Sequence, residues 1–223
     1  MPRLVVVPAT PLIAAGSAVG DVPEAAALAR AARETIDAAV TSTPTGAAVH
    51  VLDALAPEDG DERDAGTLAG FGLDVRAGAG VDTLLRLGPG HTIGAWLLDG
   101  ADWTGARRYV RALVADEVGH DDLVVVVADG SACRTERAPG HLHPQAVVFD
   151  AGLAAALATG DAGALERLDA GLAAQVWCRT APTWHRAGAA VRTLAGDGPV
   201  EADLVLADAP LGVGWFVALW SWT

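Results

Sequence analysis

The stretch Leu123-Val124-Val125-Val126-Val127-Ala128 runs directly into Asp129-Gly130-Ser131-Ala132-Cys133. Six apolar residues, four of them β-branched and closed by an Asp-Gly turn signal, read as a strand covered on both faces. Upstream, Val5-Val6-Val7 ends at Pro8 and reads as a second strand of the same kind, followed by a loop over residues 8–11. Leu28, Ala32, Ile36 and Val40 then recur every fourth residue behind a capping-box pattern of Asp21 and Glu24, which predicts a helix. Residues 47–52 read as a strand, and the crowded carboxylates of residues 57–64 read as a solvated surface loop. Residues 92–98 read as a further strand, with Trp103, Ala106, Val110, Leu113 and Val114 marking one face of a helix after it.

Downstream the pattern turns helical. Pro144 suits a first turn, Asp161 caps a helix striped by Leu165, Leu168 and Leu172, and a third helix holds Trp184, Val191 and Leu194. Residues 204–207 and 213–222, joined by Ala209-Pro210-Leu211-Gly212, read as a C-terminal β-hairpin. Strands alternating with helices and closed by a hairpin predict an α/β fold: a mixed central sheet with helices on both faces.

Composition narrows the function. With 223 residues, 52% of them apolar and 19% charged, the chain has material for one sizeable core, and residues 1–223 read as a single domain. Twenty-eight acidic against fifteen basic residues give a net charge of −13, which repels phosphates and argues against nucleic acid and anionic membrane surfaces as partners. The longest apolar runs fall far short of the ~18 to 20 residues of a spanning helix. Residues 4–20 imitate a secretory signal, but Pro8, Pro11 and the valine run suit a buried strand better. Two cysteines, Cys133 and Cys178, make no disulfide framework, so reduced thiols and a cytoplasmic location are expected. The chain has no lysine for a Walker A motif, and its glycine-rich residues 70–94 contain no Gly-x-Gly-x-x-Gly after a clear strand.

In open α/β sheets ligands settle beyond the carboxyl ends of the strands. Residues 129–143 follow such a strand and hold Asp129, Ser131, Cys133, Arg134, Glu136, His141 and His143. Two readings are open: a site, or a long solvated loop whose His143 and Pro144 merely start a helix. Cys133 with His141, His143 and Asp129 has donors suited to Zn(II). A nucleophilic Ser131 lacks the Gly-x-Ser-x-Gly elbow, and a reactive Cys133 would need a cation such as the neighbouring Arg134 directed at it.

Three stretches together, residues 4–11 (Leu-Val-Val-Val-Pro-Ala-Thr-Pro), Asp129-Gly130-Ser131 with Ala138-Pro139-Gly140 and Phe149-Asp150, and residues 207–214 (Ala-Asp-Ala-Pro-Leu-Gly-Val-Gly), resemble the class III extradiol ring-cleavage dioxygenases. The similarity is to the superfamily that these enzymes share with the Memo-like proteins, and to a short actinobacterial branch of it. The resemblance implies a single three-layer α/β/α domain. In active members it implies a non-haem Fe(II) held by two His and one Glu, with a further His as acid/base on a catechol. Here Ala9 and Thr10 stand where the first His ligand belongs, His50 is the imidazole nearest the second, Ala132 or Cys133 takes the acid/base position, and Asp208 stands nearest the carboxylate. A facial triad needs three placed donors.

The expectation is therefore a dioxygenase-like protein that has lost its iron site and binds a small molecule or partner in the remaining pocket. Thr10, Asp129, Ser131, Cys133, His141, His143 and Asp208 are the residues expected to line it. The alternative is a metal-dependent oxidoreductase, with non-haem Fe(II) or Zn(II) on ligands relocated to Asp129, Cys133, His141, His143 and Asp208. Finally, Trp215, Val217 and Leu219 alternate with Phe216, Ala218, Trp220 and Trp222, so the last strand is apolar on both faces. It is either an interior core strand or a homodimer contact through Trp220 and Trp222.

Overall fold

The computed structural model describes residues 1–15, 23–79 and 84–223. The valine runs do form its centre: β1 (Arg3–Val7) and β8 (Leu123–Val127) pair in parallel, Arg3 opposite Leu123 through Val7 opposite Val127. β2 (Val49–Leu52) pairs in parallel with β8 on its other side, and β7 (Arg107–Val110) with β2. β3 (Gly60–Asp61) closes one edge antiparallel to β7. On the other side the hairpin of β9 (Val200–Asp208) and β10 (Trp215–Trp222) adds antiparallel to β1, giving the mixed order β3-β7-β2-β8-β1-β10-β9.

Because successive strand residues point to opposite faces, the apolar runs feed two cores. Leu4, Val6, Val124 and Val126 pack under α3 (Ala146–Thr159), α4 (Ala162–Glu166) and α6 (Ala181–Ala195). Val5, Val7, Val125 and Val127 pack under α1 (Pro23–Thr41) and α2 (Pro89–Gly100). The expected three-layer α/β/α arrangement is what forms. In α1, Leu28, Ala32 and Ile36 are buried; Asp21 of the expected capping box lies outside the described residues.

Three expectations are corrected. Residues 92–98 are not a strand but the middle of α2, which starts on Pro89 and whose Thr92 hydroxyl donates to the Gly88 carbonyl at 2.8 Å. This helix is covered on one side by the main sheet and on the other by a small sheet of β4 (Ala65–Thr67), β5 (Arg76–Gly78) and β6 (Leu85–Leu87). Buried all round, it carries no polar stripe to reveal a helical period. The helix expected around Val110 is instead β7; Arg107 masks the strand pattern because its guanidinium, though buried, is occupied by Asp99 at 2.5 Å and the Trp103 carbonyl at 2.6 Å. The helix capped by Asp161 stops after α4, and Asp169 recaps the chain to start α5 (Ala170–Gln175). Of the two readings of the last strand, the interior one is what forms: β10 is paired along both edges, and Trp220 and Trp222 are buried. Among the described residues, no helix is long and apolar enough to cross a membrane.

Candidate functional site

β1 and β8 end side by side, and the chain leaving each turns outward over the same edge of the sheet. Four segments meet there around a cavity of about 550 Å³. The turn after β1 brings Ala9, Thr10, Pro11 and Leu12; the loop after β8 brings Asp129, Gly130, Ala132 and Pro139. The link between α5 and α6 adds Trp177, Arg179 and Thr180, the hairpin adds Leu211, Val213 and Trp215, and Phe71 closes one side. The walls are mainly apolar, with few polar groups converging, as in small-molecule sites.

Asp129 is the most tightly placed of these residues. Its backbone N–H donates to Thr180 Oγ1 at 3.0 Å, and its carbonyl accepts from Thr180 Oγ1 at 2.7 Å and from Trp184 Nε1 at 2.9 Å. The start of α6 therefore clamps the main chain and leaves the side chain on the cavity. There Oδ1 accepts the Ala9 N–H at 2.9 Å, while the second oxygen meets no donor among the described residues. Burial with so little compensation pushes this carboxyl up to about 7, against the pull of the Ala9 N–H. The position at which the resemblance puts an imidazole thus supplies only a backbone donor.

Thr10 lines the cavity as expected, its hydroxyl accepting from Leu12 N at 3.4 Å to cap the 3-10 turn of Pro11–Ala14. The other expected residues lie elsewhere. Ser131 is buried, with its N–H on Asp150 Oδ1 at 2.7 Å and its hydroxyl on Asp150 Oδ2 at 2.8 Å. Cys133 is buried with Sγ donating to the Gly140 carbonyl at 3.4 Å; burial, with Asp150 nearby, pushes the thiol up. Arg134, the cation needed to activate it, binds Asp150 Oδ2 at 3.0 Å instead. His141 is exposed, with Nδ1 3.3 Å from the Glu136 carbonyl oxygen, and His143 Nδ1 accepts from the Gln145 N–H. Asp208 is exposed on a separate groove of about 240 Å³ with Glu24, on the far side of Trp215. Turning inward at positions 131 and 133 is what removes Ser131 and Cys133 from the cavity.

These positions do not assemble a metal centre. Among the described residues, no three His, Cys, Asp or Glu side chains gather closely enough to hold an ion. His50 is buried and holds Asp122 Oδ2 at 2.8 Å, at the start of β8 and so at the opposite end of the sheet from Asp129. The donor set does not fit the iron triad that the resemblance implies.

Sequence reasoning missed Trp177, Arg179 and Phe71. Trp177 follows α5 with φ +57°, a left-handed seat in which glycine is usual, yet its indole is 45% exposed and lies at the cavity with the Arg179 guanidinium 5.6 Å from the ring centre. A large side chain kept in that conformation is a cue that only backbone geometry reveals. Trp215 is buried between the two cavities, and its indole N–H finds no acceptor among the described residues. Compared with models of known protein families and with curated proteins, the chain matches none.

Proposed function

We propose that this chain is a small-molecule-binding protein of the class III extradiol dioxygenase-like kind, in which the cavity has outlived the iron site. The observation that carries the reading is the cavity itself. It sits beyond the carboxyl ends of β1 and β8, where open α/β sheets gather their ligands, and holds one clamped carboxyl where a metal centre would need three donors. Asp129 fixes a polar group of the ligand, and the apolar walls take its body and exclude water. The backbone clamp from Thr180 and Trp184 means that little ordering remains to be done on binding.

Two measurements test this reading. Protein purified without oxygen and loaded with Fe(II) should produce no yellow ring-opened product from catechol or protocatechuate above a protein-free control. Aromatic fragments should raise the melting temperature of the wild type but not of Ala132→Phe, which fills the cavity from the loop after β8. Ring cleavage, or stoichiometric iron or zinc in the purified protein, would favour a metal enzyme with ligands drawn from elsewhere and overturn the proposal.

A further inference from the structure

Resting on that reading, we infer that the ligand is an organic ammonium ion with an apolar body, its nitrogen donating to the open oxygen of Asp129. An ionised carboxylate only accepts, and this one has a single donor, Ala9 N–H, with no cationic side chain paired to it among the described residues. An ammonium supplies both what the second oxygen lacks and the positive charge that makes ionisation at this depth favourable. The cavity beyond the carboxyl offers Leu12, Phe71, Val213 and the rings of Trp177 and Trp215 to an apolar body. Aromatic faces also favour a cation close by. A net charge of −13 draws cations toward the protein as a whole.

Among the described residues, the charged and titratable groups around Asp129 are few. From the α5–α6 link, Cys178 donates its Sγ to the Asp129 carbonyl at 3.5 Å, with its thiol pushed up to about 12 by burial, and Arg179 stands on the exposed rim. Behind Gly130 lies Asp150 with its partner Arg134, and beyond Trp215 lie Glu24 and Asp208. The lining residues of the turn after β1 and of β10, namely Ala9, Thr10, Pro11, Leu12 and Trp215, carry no charge. Arg179 is the cation that an anionic ligand would choose, so a carboxylate must be one arm of the test.

Calorimetric titration of the full chain with 2-phenylethylamine, 2-phenylethanol and phenylacetate compares cation, neutral donor and anion on one frame. At pH 8 the amine should bind at least ten times more tightly than the other two. Its affinity should fall roughly thirty-fold by pH 5.5, following the ionised fraction of a carboxyl near 7. At pH 7 its binding should release on the order of half a proton, read from buffers of different ionisation enthalpy. Asp129→Asn keeps an oxygen for the Ala9 N–H and should abolish the preference for the amine, dropping its affinity at least ten-fold toward that of 2-phenylethanol. Tighter binding of phenylacetate or 2-phenylethanol, retained amine preference in Asp129→Asn, or amine binding without proton release in the wild type overturns the ammonium assignment and leaves the cavity standing. Failure of all three to bind, or binding undiminished in Ala132→Phe, overturns the cavity reading as well.

Discussion

Asp129 and Asp150 flank the same glycine and are held in opposite ways. Asp150 is 2% exposed and accepts from Ser131 N–H, Ser131 Oγ and Arg134, one of them charged. Asp129 is half-buried, and among the described residues its carboxyl accepts from a single backbone N–H. The first carboxylate is saturated by its own chain and works as a pin that ties the loop after β8 to α3. The second is held at its backbone, by Cys178 of the α5–α6 link and by Thr180 and Trp184 at the start of α6, and its side chain is left with capacity to spare. A polar group whose partners are all internal belongs to the fold, whereas a clamped group short of partners, at the wall of a cavity, is available to a ligand.

The largest effect that would break this comparison is expected at the pin. Asp150→Ala leaves the Arg134 charge and both Ser131 donors without their acceptor, and should cost about 3 to 5 kcal/mol, read as a lower urea midpoint. A variant as stable as the wild type would deny Asp150 its structural role.

Asp129→Asn should act in the opposite direction, and only at higher pH. The folded protein raises this carboxyl from the ordinary 3.8 to about 7, so the group favours the fold below pH 4 relative to higher pH. That contribution is lost as pH rises toward 7, and above it the buried charge opposes folding by at most ~4 kcal/mol, three units at ~1.36 each. Asparagine cannot ionise. The variant should therefore be more stable than the wild type at pH 8 and indistinguishable from it at pH 3.5; equal unfolding curves at pH 8 would show that the carboxyl is well solvated.

Glycine substitutions sharpen the geometry around the pin. A Cβ at Gly130 would lie 2.6 Å from Asp150 Oδ1, and one at Gly214 would lie 2.5 Å from Asp150 Oδ2, so alanine at either should cost ~1 to 3 kcal/mol. Gly152 on the outer face of α3 has nothing within 4 Å of such a Cβ, and alanine there should stabilise by up to ~1 kcal/mol. Thermal melts of the three variants at one pH make the comparison. The smallest effect is expected for Ser131→Ala, which removes one hydroxyl donor from Asp150 and leaves Arg134 in place, at ~1 kcal/mol.

Local sequence determined the elements whose burial is uniform or cleanly periodic. The valine runs at 5–7 and 123–127 could only be strands covered on both faces, Leu28, Ala32 and Ile36 marked one buried helical stripe, and the two-faced apolar segment 215–222 demanded an interior position that it found between β1 and β9. What failed was the exchange of helix and strand across residues 89–110. There α2 is apolar because both sides are covered, and β7 carries arginines because Asp99 and a backbone carbonyl neutralise one of them. Neither cover nor counter-ion is visible along the chain. The candidate site divides in the same way. Asp129 and Thr10 were legible because the ends of parallel strands converge by topology, whatever the loops do. Ser131, Cys133, His141, His143 and Asp208 have the chemistry of a site, but loop geometry turned Ser131 and Cys133 onto the core, left the histidines outside the cavity and set Asp208 on another groove. Trp177 and Arg179 entered from a link some fifty residues away, brought there by the packing of α5 and α6 against the sheet. Residue type sets what a side chain can do, and only the direction in which the tertiary structure points it decides whether it does so.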